Sequence, residues 1–254
     1  MNPTLSCPAP PRGDRRVEGG DTLAALLLRR IDESPLAPAV VAVGGPEDDP
    51  RPWTWADLAT TALGVADALL AAGIRRGDRV VHVGPHCPDW IVVDIACLLA
   101  GFEHAALHHG CTSTEAARAI SWLAPRAVIR SGIDDRPGYP RQIVVGPAVS
   151  GDHDIGGVRH VRIDPGAATR PAAPLAELRA AIARHAAACD PDAGCTVLLS
   201  SGTTGVPHGY VHSQRALAAN AVASSEVFLA ESRDVRLSWL PLSHGMARVG
   251  DLYT

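Results

Sequence analysis

Between Cys195 and Gly209 the chain reads Cys-Thr-Val-Leu-Leu-Ser-Ser-Gly-Thr-Thr-Gly-Val-Pro-His-Gly. A short apolar run, read as a strand, feeds a loop dense in hydroxyl residues and glycine. Ser200, Ser201, Thr203 and Thr204 supply hydroxyl donors, and Gly202, Gly205 and Gly209 permit close backbone approach. Backbone N–H groups and hydroxyls gathered in this way form an anion-binding nest suited to polyphosphate oxygens. The loop is not a Gly-x-x-x-x-Gly-Lys-Ser/Thr cradle, because Gly202 and Gly205 stand too close and no Gly-Lys follows. On composition alone, a Ser/Gly/Thr turn without a ligand stays equally open. A second group, His104, His108, His109 and Cys111, has metal-ligating side chains. Surface histidines are the favoured account of it, and no metal site is expected.

The loop also carries a resemblance. Ser200 to Gly209 is similar to the Thr-Ser-Gly-Thr-Thr-Gly-x-Pro-Lys-Gly loop of the adenylate-forming ligases, the superfamily of acyl-CoA synthetases, luciferases and peptide-synthetase adenylation domains. Downstream, Leu240-Pro241-Leu242-Ser243-His244 and then Arg248 resemble the Leu-Pro-Leu-Ser-His-x-x-x-Arg stretch of the long-chain fatty acyl-CoA branch. Upstream, Trp53-Thr54-Trp55-Ala56-Asp57-Leu58, Gly77-Asp78-Arg79-Val80 and Pro88-Asp89-Trp90 look like scaffold segments of the same superfamily.

The resemblance implies that a carboxylic acid, favoured as a fatty acid, is coupled to ATP to give acyl-AMP and pyrophosphate, after which coenzyme A displaces AMP. ATP, Mg²⁺ and coenzyme A are the implied cofactors. By motif position Ser200, Ser201, Gly202, Thr203, Thr204 and Gly205 would hold the β- and γ-phosphates, with His208 beside them. His244 and Arg248 would line the acyl and adenylate pocket. His208 replaces the family's loop lysine, and a histidine with a reference pKa of about 6.5 is largely neutral at pH 7.

These groups need a scaffold to hold them. The chain has 254 residues, 46% of them apolar, enough for one or two domains with a substantial core. Aromatic residues are only 4%, so alanine, valine and leucine must do the filling. The net charge of −4 gives no electrostatic reason to expect nucleic acid or an anionic membrane as partner. Six cysteines form no Cys-x-x-Cys pair, which fits reduced thiols. No run reaches transmembrane length, and a cytoplasmic location is the default expectation.

Residues 1–20 read as a flexible arm. A helix is expected from Thr22 to Ile31 with Asp21 as its N-cap, then a strand over Ala39 to Val43. Leu58, Ala62, Val65, Ala66 and Leu69 repeat at helical spacing up to Gly73. Val80 to Val83 reads as a strand, and Ile91 to Ala100 as an apolar helix stopped by Gly101. Ser113 to Ser121 is a helix capped by Thr112 or Ser113, with Glu115 in its first turn. Ala127 to Ile129, Ile143 to Val145 and Val158 to Ile163 are short strands. Leu175 to Ala188 and Arg215 to Phe228 are helices, and Val235 to Leu240 a strand. Strand–helix alternation points to an α/β fold of layered β-α-β units around a mainly parallel sheet.

On the resemblance, residues 21–254 form a partial N-terminal AMP-binding domain. The Tyr-Gly-x-Thr-Glu segment, the ribose-binding aspartate, the hinge and the small C-terminal domain have no counterpart here. Three readings stay open: the front part of an acyl-activating ligase, a catalytically inactive nucleotide-binding remnant, or an interaction module completed by another chain, such as a separately encoded C-terminal half.

Overall fold

Two threonines show how local sequence starts the helices. In the computed structural model Thr54 and Thr112 each sit before a helix, α2 (Trp55–Ala71) and α4 (Ser113–Leu123). Thr54 Oγ1 accepts the Asp57 N–H at 3.1 Å while the Asp57 carboxylate accepts the Thr54 N–H at 2.9 Å. Thr112 and Glu115 repeat that reciprocal pair, which satisfies backbone donors a helix start leaves open. The structure describes residues 22–42, 52–130, 143–146, 161–163, 174–200, 208–229 and 234–254. The expected arm over 1–20 lies outside them.

The remaining elements, in chain order, are α1 (Leu23–Glu33), β1 (Pro38–Val40), β2 (Trp53–Thr54), β3 (Arg79–Val83), α3 (Pro88–Ala100), β4 (Glu103–Leu107), β5 (Ala127–Arg130), β6 (Ile143–Gly146), β7 (Val161–Ile163), α5 (Leu175–Ala188), β8 (Gly194–Ser200), β9 (His208–Ser213), α6 (Gln214–Val227) and α7 (Gly245–Ala247). A π-helical turn, Arg248–Tyr253, follows α7 directly. A two-stranded pair β1–β2 stands beside a seven-stranded sheet of order β7-β6-β5-β3-β4-β8-β9. Strands β5, β3, β4 and β8 run parallel, while β6, β7 and β9 join antiparallel.

Helix α3 is apolar all round, and every residue but Asp89 is buried, as expected of a helix enclosed by the core. Gly101 ends it at φ +72°, where a side chain would be strained. With α2 it packs on one sheet face against Val80, Ala106 and Ile129. Helix α4 covers the opposite face, where Ile120 and Leu123 meet Val81, Ala105, Leu107, Val128 and Val197. The connections leaving β3 and β4 therefore go to opposite faces, which makes the carboxyl ends of these two strands a topological switch point. At their amino ends Arg79 grips Glu103 at 2.9 and 2.7 Å and donates to the Leu123 carbonyl at 2.9 Å.

The architecture is the expected α/β fold with a mainly parallel sheet, and several elements differ in detail. Thr22, not Asp21, caps α1, its hydroxyl accepting the Ala25 N–H at 3.0 Å. The strand expected over Ala39–Val43 is the shorter β1. Val235 to Leu240 is not a strand. Its side chains alternate, yet no described strand lies beside it to complete a hydrogen-bond ladder, and Val235, Leu237 and Trp239 are 97%, 77% and 74% exposed. Side chains hold it instead: Ser238 Oγ donates to Asp251 at 2.8 Å, and Arg236 to the Gly250 carbonyl.

Candidate functional site

Strand β8 leaves the core at Ser200, and β9 returns antiparallel from His208, with Ser200 opposite His208 and Leu199 opposite Gly209. The two ends of the hydroxyl-rich loop are thus held together as the mouth of a hairpin. Ser201, Gly202, Thr203, Thr204 and Gly205 lie outside the described residues. The His208 side chain is exposed at the mouth. Gly209 is glycine for a packing reason: a Cβ there would stand 2.8 Å from the Trp122 ring of α4 and 3.1 Å from Val197. Behind the hairpin, Gln214 is buried and donates to the Leu98 carbonyl at 2.9 Å while accepting the Ala24 N–H at 3.2 Å. That residue ties the β9–α6 junction to α3 and α1.

The second motif lies across the sheet ends. Pro241, Leu242 and Ser243 line a small pocket with Gly84 and His86 beyond β3, Trp90 of α3, and His109 beyond β4. This is the switch-point crevice, a common place for a ligand in a sheet of this kind. His244 follows at once, exposed, its Nδ1 accepting the Met246 N–H at 3.3 Å and so capping α7.

Arg248 takes a different course. It is 1% exposed, its guanidinium 5.3 Å from the Trp90 ring centroid. Its Nη2 donates to Asp94 Oδ1, and its Nε donates to Tyr253 Oη at 2.8 Å. Tyr253 in turn donates to Asp94 Oδ2 at 2.8 Å. His104 Nδ1 stands 2.6 Å from Asp94 Oδ1 and also against Arg248 Nη2, so it donates to the carboxylate in the tautomer that carries the proton there and accepts from Arg248 in the other. The His104 ring stacks on His82 at 5.4 Å.

Electrostatics assigns the charges. Burial alone would raise the Asp94 carboxyl, but Arg248, then His104 and Tyr253, outweigh it and hold the group well below the usual carboxylate range. Burial disfavours the Arg248 cation, yet Asp94 and Tyr253 raise its pKa further. Burial, joined by Arg248, lowers His104 despite Asp94. Burial pushes Tyr253 well above its ordinary value, although Arg248 opposes it. The cluster therefore holds one ion pair and two neutral rings, with Asp94, His104 and Arg248 buried and Tyr253 half-buried at its edge. His104 Nε2 and Arg248 Nη1 are buried with no hydrogen-bond partner among the described residues.

The expectation of surface histidines fails for His104, which is fully buried. It lies on β4, whose pleat turns it inward in register with Val80. His108 and His109 stack at 4.7 Å beyond the strand. Among the described residues no three His, Cys, Asp or Glu side chains converge to hold a metal. Five cysteines there are free thiols, and burial pushes Cys87 up to about 11 and Cys195 to about 12, which leaves them protonated and unreactive. No described helix is long and apolar enough to cross a membrane. Asp94, Tyr253 and His86 were not singled out from the sequence, and Trp90 entered only as part of a scaffold segment. The signal for Asp94 was there: it is the lone charge inside the apolar stretch Trp90–Ala100.

Known proteins match this chain in the same terms. A sequence model described as "AMP-binding enzyme" matches residues 27–254. The propionate–CoA ligase of Escherichia coli is 28% identical over 233 residues, which cover 87% of this chain and 36% of that protein. The peroxisomal long chain acyl-CoA synthetase 6 of Arabidopsis thaliana is 25% identical over 84% of this chain and 31% of that protein. The crystal structure of a fatty acid AMP ligase from Legionella pneumophila superposes with a TM-score of 0.64 at 18% identity, over 91% of this chain and 37% of that one. The chain spans about a third of the length of these relatives.

Proposed function

The chain belongs to the AMP-binding enzyme family, and from that premise we propose that it carries the phosphate-binding part of an enzyme that activates a carboxylic acid with ATP. The acid's carboxylate displaces pyrophosphate to give acyl-AMP, and the thiol of coenzyme A then displaces AMP. The observation that carries this reading is the β8–β9 hairpin, whose mouth pairs Ser200 with His208 at the two ends of the hydroxyl-rich loop. Ser200 through Gly205 would present hydroxyls and backbone N–H groups to the β- and γ-phosphates, replacing water around a polyanion. Mg²⁺ would arrive with the triphosphate as its counter-ion. His208, exposed at the mouth, would lend a hydrogen bond rather than the fixed charge of a lysine.

In this reading the acid's carboxylate end lies at the crevice walled by Pro241 to Ser243, which as folded has room for little more than a water, so the acyl chain would extend outside it. A fatty acyl group is favoured by the Leu-Pro-Leu-Ser-His-x-x-x-Arg form of the segment. A second reading, nucleotide binding without adenylation, is favoured by His208 at the lysine position. ATP binding with no acid-dependent release of pyrophosphate would select it.

Replacing His208 by lysine tests the phosphate reading. His208 in this reading already lends a hydrogen bond, so His208→Lys adds the fixed charge alone and should tighten Mg·ATP by up to about tenfold by calorimetry. Equal affinity in the two proteins would remove His208 from the phosphate site.

A further inference from the structure

The buried cluster joins parts of the chain that are far apart: Asp94 on α3, His104 on β4, and Arg248 with Tyr253 on the terminal π-helical turn. Asp94 is the one carboxylate buried among the described residues. Both its oxygens are engaged, Oδ1 by Arg248 and His104, Oδ2 by Tyr253. Tyr253 also accepts from Arg248 Nε, so carboxylate, guanidinium and phenol close a ring. Two of the three partners come from the segment after His244.

Backbone hydrogen bonds pass this anchoring back along the chain. The Arg248 N–H donates to the His244 carbonyl at 3.0 Å, and the His244 N–H donates to the Pro241 carbonyl at 2.8 Å. Arg248 therefore cannot shift without moving His244, nor His244 without the pocket wall. The segment's other side-chain hydrogen bonds, Ser238 to Asp251 and Arg236 to Gly250, are exposed to water and compete with it, while Leu242 and Ala247 add non-directional burial in the core.

We propose that Asp94 and Tyr253 are positioning residues, a clamp that holds Arg248 and through it sets His244 and the Pro241–Ser243 wall against α3 and β4. The clamp works because the described interior around it offers the guanidinium no other carboxylate. His104 Nδ1, against both Asp94 and Arg248, bonds one or the other according to its tautomer. The functional part of the inference rests on the reading of that crevice as the acid's site.

Tyr253→Phe is the leading variant, since it deletes one hydroxyl and keeps the ring beside Arg248. Amide hydrogen exchange across residues 244–252 should accelerate tenfold or more, with α2 and α3 unchanged. The ¹⁵N signals of the His244 ring should shift as its cap to Met246 loosens. Asp94→Asn should exceed both effects, and Tyr253→Phe decides the matter where that variant does not fold. Decanoate, titrated in the presence of AMP, should bind about tenfold more weakly to Tyr253→Phe, with Mg·ATP affinity unaltered. Wild-type exchange in 244–252, acceleration spread equally over α2 and α3, or equal weakening of decanoate and ATP would each overturn the clamp. If instead His244→Ala binds decanoate at wild-type strength, the crevice is not the acid's site, and exchange alone then decides the clamp.

Discussion

Acidification from pH 7.5 to 5.5 should weaken the fold, and two buried histidines set the size of the loss. His82 on β3 and His104 on β4 are both fully buried. Burial first, then His104 and Arg248 against an opposing Asp94, holds His82 well below 6.5. Burial and Arg248 lower His104. In the unfolded chain each ring returns to about 6.5. Below that pH the unfolded state binds protons that the folded state refuses, so stability is complete above about 6.5 and drains as pH falls toward the folded pKa values. Each group contributes up to about 1.4 kcal/mol per pH unit, so the pair loses at most about 2.7 kcal/mol by pH 5.5. That is a large share of a typical total of about 5–15 kcal/mol. The neighbours stay silent in this window: Asp94 is held far below it, Tyr253 and Arg248 far above. Urea unfolding followed by tryptophan fluorescence at pH 7.5, 6.5 and 5.5, at constant ionic strength, reads the effect. His82→Phe should remove about half of the pH dependence. A midpoint that does not move, or that rises on acidification, refutes the argument, as does a full slope in His82→Phe.

Other perturbations follow from the same contacts. Asp94→Leu alone should cost about 3–5 kcal/mol because it strands the Arg248 cation, whereas Asp94→Leu with Arg248→Met should recover most of that in denaturant titrations. A double variant as unstable as the single one would show that the ion pair is not the source of the loss. Thr112→Ala removes the hydroxyl half of the α4 capping box and should lower stability by about 1 kcal/mol, read from the urea midpoint. Gly209→Ala drives a methyl into Trp122 and should cost about 1–3 kcal/mol, a penalty that should shrink in a Trp122→Ala background, where only the 3.1 Å approach to Val197 remains.

The local signals in the sequence were strong where one element decides its own fate. Leu58 to Leu69 at helical spacing, Thr54 and Thr112 before acidic residues, and Gly101 after an apolar run define α2, α4 and the end of α3 without outside help. The alternation of such units was enough for an α/β fold with a parallel core. Signals that depend on a neighbour misled. Val235 to Leu240 has strand periodicity, but a strand exists only where a second one completes its ladder, and none does so among the described residues. Strand β9 was hidden for the opposite reason: its polar residues alternate weakly, and pairing with β8 alone makes it a strand.

The candidate site divides in the same way. The resemblance carried by Ser200 to Gly209, and by Leu240 to Arg248, pointed to the adenylate-forming family that the sequence model matches. Only the folded chain decides that Arg248 is buried, that His104 lies in the interior, and that Asp94 and Tyr253 belong with them. Those partners are 154, 144 and 159 residues apart in their contacts, beyond the reach of any periodicity. A charge inside an apolar helix becomes tolerable when its counter-charge arrives by tertiary packing, because only the pair survives removal from water.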